Sequence, residues 1–220
     1  NLTNGRKNMF LEVGYLETKD KKREYINLDE YHSLDVSKCI HQDIARAFMF
    51  SFLTGLRTGD IELLKYKDVQ KDQKEGYFTE VLMQKTNELI RIPLGEEEMQ
   101  LIGEIGADKE TIFRYTPAAY KYLYNWLKNA YPDKKVSQTR SLDDKKEGLT
   151  FHSARASFIT NMLNEGIPAV RVQKYVGHKD LKTTLGYYRG AEEMEAQDFG
   201  KFKEQLRATK GIVKAKQLIS

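Results

Sequence analysis

Between His41 and Thr54 the apolar residues Ile44, Ala45, Phe48 and Phe52 recur at intervals of one, three and four, the period of a helix with a buried stripe. Gly55 follows as its C-terminal stop. Upstream, Asn27 with Glu30 three residues later reads as a capping box that opens a short helix at Leu28. A third short helix is predicted over Gly59–Leu64.

The period then shortens. Tyr77–Met83 and Leu89–Pro93 are rich in β-formers, with Thr86-Asn87 between them as a turn, and predict an antiparallel pair. Helical spacing returns over Glu96–Ile105 and Pro117–Ala130, the latter with Tyr120, Leu123, Tyr124 and Leu127 on one face and Trp126 near it. Residues 131–148 are polar, contain Pro132 and Gly148, and read as a loop or insertion. Two more helices are expected at 152–165 and 168–176, separated by Gly166. The expected organisation is a linker or arm at 1–22, one domain at 23–190, and a tail at 191–220 with Phe199, Phe202 and Leu206 at helical spacing. The fold class is mostly α with a small antiparallel β-sheet, an α+β arrangement.

Composition narrows the class. The chain of 220 residues is 40% hydrophobic and 31% charged, enough for a core under a strongly solvated surface. A net charge of +4 permits a nucleic-acid partner without demanding one, because clustering decides. The single cysteine, Cys39, excludes an internal disulfide and a cysteine-rich metal site, and reads as a small apolar filler. No apolar run approaches the ~20 residues that cross a bilayer. The first residues lack the pattern of a signal peptide and an initiator Met, so the chain reads as a fragment with the cytoplasm as its default compartment.

Four segments carry candidate chemistry, and each has a plainer reading when taken alone. In Thr54-Gly55-Leu56-Arg57-Thr58-Gly59-Asp60, an Arg beside free helix-end amides can grip a phosphate; alone it is a surface Arg after a helix stop. Lys85 at the tip of the strand pair, before Arg91-Ile92-Pro93-Leu94, can reach into a groove and donate a proton; alone it is a solvated turn residue. His152 and Arg155 share a helix face, so an imidazole can move a proton while a guanidinium holds charge; alone they are a cap and a salt-bridge partner. Gly177-His178 precedes Gly186-Tyr187-Tyr188, where a phenol needs nearby cations and a base to act as a nucleophile; alone these are packing aromatics among 13 tyrosines.

Taken together, the four segments resemble the tyrosine recombinase (phage integrase) family in order and spacing, over about residues 22 to 190. Thr54–Arg57 with Asp60 resembles the first arginine box. Lys85, eight residues before Pro93, resembles the hairpin lysine. His152-x-x-Arg155 resembles the second box, and Gly177-His178 with Tyr187 nine residues after the His resembles the histidine and nucleophile. Asp60 stands where Glu is usual, Ala154 and Ala156 stand where Leu and His are common, and Tyr188 adjoins Tyr187, although the spacing favours Tyr187.

The resemblance implies the catalytic-domain fold of these DNA breaking-rejoining enzymes, and a division of roles. Tyr187 would attack a phosphate to form a 3′-phosphotyrosine. Arg57, Arg155 and His178 would hold the phosphate oxygens, Lys85 would protonate the leaving 5′-oxygen, and His152 would assist at the Tyr. All six should line one basic concave surface. No metal or other cofactor is implied. The expected partners are double-stranded DNA and further copies of the chain, a tetramer of the full-length protein on two sites, with no membrane. The family's usual N-terminal core-binding domain is expected to be absent, since only about 22 residues precede the match. A tail helix at 191–220 exchanged between protomers could hold Tyr187 away from the arginines until partners arrive. Two other functions fit less of the pattern: a type IB topoisomerase-like relaxase, and a helix-turn-helix regulator in which the Tyr is incidental.

Overall fold

The computed structural model describes residues 24–137 and 148–188. The tail with Phe199, Phe202 and Leu206, and the centre of the 131–148 segment, lie outside the described residues.

The chain opens with α1 (Leu28–His32), whose Asn27 and Glu30 form the expected reciprocal cap. Next comes α2 (Gln42–Thr54), in which nine of thirteen residues are buried, so it is the central helix rather than a surface one. Phe48 shows why: its fully buried ring meets both Trp126 and Phe151 edge-on. Truncating such a ring to Ala costs about 3–5 kcal/mol. After α3 (Thr58–Glu62) comes a three-stranded antiparallel sheet, β1 (Val69–Asp72), β2 (Gly76–Leu82) and β3 (Leu89–Leu94), in that spatial order.

Then follow α4 (Glu96–Ile102), α5 (Ala119–Ala130), α6 (Phe151–Asn164), α7 (Ala169–Val176) and α8 (Leu181–Leu185). Helix α6 packs against α2, and Ser157 and Asn161 on it tie down the backbone of Ile26 at 2.8 and 2.9 Å. The main core is built around α2. A second cluster joins α6, α7 and the turn after α8 through Ala156, Ile159, Leu163, Val172, Val176 and Tyr187. Cys39 is buried at 3% exposure, the apolar filler expected of it.

The differences from expectation have local causes. Helix α4 stops at Ile102, because Gly103 takes φ 78° and Arg46 donates to the carbonyls of Leu101 and Ile102 at 2.7 and 2.6 Å. Ile105 is left 56% exposed. On α5 the core face is Ala119, Leu123, Trp126 and Leu127 rather than the tyrosines, and the Trp126 indole N–H donates to the Asp35 carbonyl at 2.9 Å. Strand β1 was not foreseen: it carries one β-former, Val69, and pairs through a turn in which the Asp72 carboxylate accepts the N–H groups of Lys74 and Glu75. Among the described residues no helix is long and apolar enough to cross a membrane.

Candidate active site

Arg57 caps the N-terminus of α3, just after α2 has ended on Gly55 in the left-handed region at φ 69°. A Cβ on Gly55 would come within 2.6 Å of the Phe158 ring and 3.0 Å of Val176. Glycine is therefore required both for the turn and for the close approach of α6 and α7. The Ser51 hydroxyl donates to the Leu56 carbonyl at 2.8 Å and fixes the loop further. The Arg57 Nη1 is buried with no hydrogen-bond partner, a donor left open for a ligand. Burial pulls the Arg57 pKa below its ordinary value, and Asp60, Tyr187 and Glu88 oppose that shift.

Arg155 is 1% exposed, on the second turn of α6. Its Nη1 donates to the Gly55 carbonyl at 2.5 Å and its Nη2 to the Val176 carbonyl at 2.7 Å. These two bonds use two of the five guanidinium N–H donors. Burial first, and the Arg57 charge second, push its pKa down to about 9. That is still above neutrality, so the charge stays.

His178 follows α7, which ends on Gly177 at φ 60°. Its Nδ1 lies 2.9 Å from the Thr184 hydroxyl. Burial, then the charges of Arg155, Arg57, His152 and Lys85, push its pKa down to about 3. The ring is therefore neutral at physiological pH. When the Thr184 hydroxyl donates to Nδ1, Nε2 carries the proton and can donate to a phosphate oxygen. The Tyr187 ring lies 6.2 Å from the His178 ring, nearly parallel at 18°, and the Tyr187 N–H reaches the Thr184 carbonyl at 3.1 Å.

Lys85 sits in the β2–β3 loop, beyond the paired residues Leu82 and Leu89. That loop is closed by Met83 N–H to the Glu88 carbonyl at 2.9 Å, with Asn87 at φ 57°. Asp60, 5% exposed, accepts the Gln84 N–H at 3.1 Å. It thus links the helix after Arg57 to the loop that carries Lys85. This gives the carboxylate at that position a structural task that Asp performs in place of Glu.

The six expected residues are brought together. Arg57, Lys85, His152 and Arg155, from three separate segments, all act electrostatically on one imidazole, and Tyr187 stacks beside it. The surroundings differ from expectation. Arg155, His178 and Tyr187 are buried rather than spread on an open concave face, and Lys85 alone of the six is well exposed. Tyr187 stands inside the cluster, its ring against His178, not apart from the arginines. Sequence reasoning missed Thr184, Gln84 and Glu88. Thr184 could have been suspected only as a hydroxyl six residues beyond the His on a turn capped by Asp180.

The described geometry has counterparts. The model of the phage integrase family matches residues 19–194. A protein of Methanocaldococcus jannaschii named as a probable integrase/recombinase is 26% identical over 206 residues, which are 83% of this chain and 61% of that protein. The chain thus spans less than two thirds of that relative. The catalytic domain of bacteriophage HP1 integrase superposes with a TM-score of 0.56 at 15% identity, over 80% of this chain and 94% of that one. A lambda integrase fragment, solved as a dimer bound to a core site, gives 0.54 at 19% identity over 81% of this chain and 63% of that one. These likenesses carry the fold.

Proposed function

The chain belongs to the phage integrase family, and from that membership we propose that it is a catalytic domain that cuts and rejoins DNA through Tyr187. The observation that carries the reading is the pair of hydrogen bonds from Arg155 to the Gly55 and Val176 carbonyls, which ties together the segments that lead into Arg57 and into His178, against whose ring Tyr187 lies. A binding module has no need of a buried arginine and a half-buried one gathered with a histidine and a tyrosine.

The reaction is phosphoryl transfer, in which positioning and charge stabilisation do most of the work. The Tyr187 oxygen attacks the scissile phosphorus, and the bond from phosphorus to the 5′-oxygen breaks. Arg57, Arg155 and neutral His178 donate to the non-bridging oxygens as negative charge grows there. Lys85 gives a proton to the leaving 5′-oxygen, and His152 assists removal of the proton from Tyr187. A 5′-hydroxyl from another strand reverses the step, so one phosphodiester is exchanged for another. The chain's own cations supply the electrophilic assistance.

The partners in this reading are double-stranded DNA and further copies of the full-length protein, four on two sites, and the setting is the cytoplasm. A solved structure of similar fold is a dimer on DNA, which supports the first and part of the second. Incubation with nicked duplexes of randomised sequence, followed by a denaturing gel, tests the reading. A covalent protein–DNA band is expected. Binding without any such band would favour a regulator. Relaxation of a supercoiled plasmid that carries no specific site would favour a topoisomerase.

A further inference from the structure

Between His178 and Tyr187 the chain makes one short helix, α8, which turns Thr184 back onto the imidazole. Asp180 opens that helix: its carboxylate accepts the Lys182 N–H at 2.9 Å. Thr184 is wholly buried, while its neighbours Thr183 and Leu185 are exposed. The Thr184 hydroxyl lies 2.9 Å from the His178 Nδ1, and the Thr184 carbonyl accepts the Tyr187 N–H at 3.1 Å. The His178 backbone is held separately. Its N–H donates to the Gln173 carbonyl at 3.1 Å, and its carbonyl accepts from the Gln173 side-chain amide at 3.0 Å. What is left to set at His178 is the orientation of the ring and the nitrogen that carries its proton.

We propose that Thr184 is a positioning residue that sets the tautomer of His178, donating its hydroxyl proton to Nδ1 and so keeping the ring's own proton on Nε2 for a phosphate oxygen. The inference rests on the reading above for the phosphate, and on geometry alone for the tautomer. A neutral imidazole has one donor and one acceptor nitrogen, and a hydroxyl can pair with either. The surroundings of Thr184 decide between them. Among the described residues the His178 Nδ1 is the one hydrogen-bond partner of this hydroxyl. If Nδ1 donated instead, the hydroxyl proton would be buried without an acceptor, which costs more than a made bond gains. The hydroxyl therefore donates. In the other tautomer the ring would turn a bare lone pair toward the phosphate, and two acceptors would face each other. Because the Thr184 carbonyl also holds the Tyr187 N–H, one residue supports both the phosphate donor and the segment that carries the nucleophile.

The test replaces Thr184 by Val, which keeps the shape and loses the hydroxyl, and by Ser, which keeps the hydroxyl. Thr183→Val, at the exposed neighbour, controls for the effect of valine on α8. Nitrogen-15 shifts of the imidazoles at neutral pH read the tautomer, with His178 assigned by the signal lost in His178→Asn. The denaturing gel reads adduct formation on the randomised nicked pool, and fluorescence anisotropy reads duplex binding. The unaltered chain and Thr184→Ser are expected to carry the His178 proton on Nε2 alone. Thr184→Val is expected to show mixed tautomers and to form adduct about three- to tenfold more slowly, the span of one net hydrogen bond, with duplex binding little changed. Thr183→Val is expected to match the unaltered chain. A residue that merely fills space would leave the ring shifts of Thr184→Val unchanged. That result overturns the proposal, as does a proton on Nδ1 in the unaltered chain, or adduct formation by Thr184→Val as fast as by Thr183→Val. If Thr184→Val fails to fold, the ring shifts of the unaltered chain and of Thr184→Ser decide. Absence of any adduct with the unaltered chain overturns the recombinase reading instead, and the ring shifts still judge Thr184.

Discussion

Arg155 on α6 donates to the carbonyl oxygen of Gly55 at 2.5 Å, across 100 residues of sequence. A side chain assigned to phosphate binding is therefore also a tie between the loop before α3 and the end of α7. Arg155→Ala leaves two buried carbonyls unpaired and a cavity behind. It is expected to cost about 3–5 kcal/mol of stability as well as all cleavage. Arg155→Lys keeps the charge but not the fork, and should lie between. Urea unfolding checks the first effect. A loss of cleavage with stability untouched would mean that the two carbonyl bonds contribute little.

Gly55→Ala meets two obstacles at once, a left-handed φ of 69° and a ring carbon at 2.6 Å. Destabilisation of about 2 kcal/mol or more is expected, together with weaker DNA binding as Arg57 shifts. Thermal unfolding and anisotropy on the same variant read both. A neutral result would show that Phe158 and the loop relax freely.

Asp60→Ala removes the acceptor for the Gln84 N–H. The hairpin should loosen: hydrogen exchange at the Gln84 amide speeds up and adduct formation falls. Asp60→Asn keeps an acceptor oxygen and should retain most of the exchange protection. If the two variants gave the same exchange rate, the hydrogen bond would not be what holds the loop.

His178 has its pKa pushed from 6.5 to about 3 in the folded chain. Between those values the unfolded chain takes up a proton that the folded one refuses, so stability falls as pH drops through this window and is full above it. Unfolding midpoints from pH 7 to pH 4 should therefore fall more steeply for the unaltered chain than for His178→Asn. Parallel profiles would mean that the imidazole is not held neutral.

Much of this was legible, because local rules and long-range packing agree. The Asn27–Glu30 cap, the Gly55 stop and the apolar spacing of Ile44, Phe48 and Phe52 each act within a few residues, and the structure follows them. Strand β1 was not legible: Val69-Gln70-Lys71-Asp72 has no strand pattern of its own and takes its form from pairing with β2. Helix α8 is five residues long, too short to display a period. On α5, Trp126 took the core position beside Leu123 and Leu127, its N–H donating to the Asp35 carbonyl 91 residues away, a fact no periodicity contains. The site residues stood out only as a set. What the sequence did not reveal is what supports them: the carbonyls that hold Arg155, the Thr184 hydroxyl behind His178, and the Gln84 N–H through which Asp60 holds the hairpin.

The Tyr187 oxygen is the proposed nucleophile. Tyr187→Phe and Tyr188→Phe each remove one oxygen and leave the rings in place, so folding and DNA binding should hardly change. Covalent adduct formation on randomised nicked duplexes separates them. No adduct is expected from Tyr187→Phe and a normal adduct from Tyr188→Phe. A normal adduct from Tyr187→Phe would contradict it.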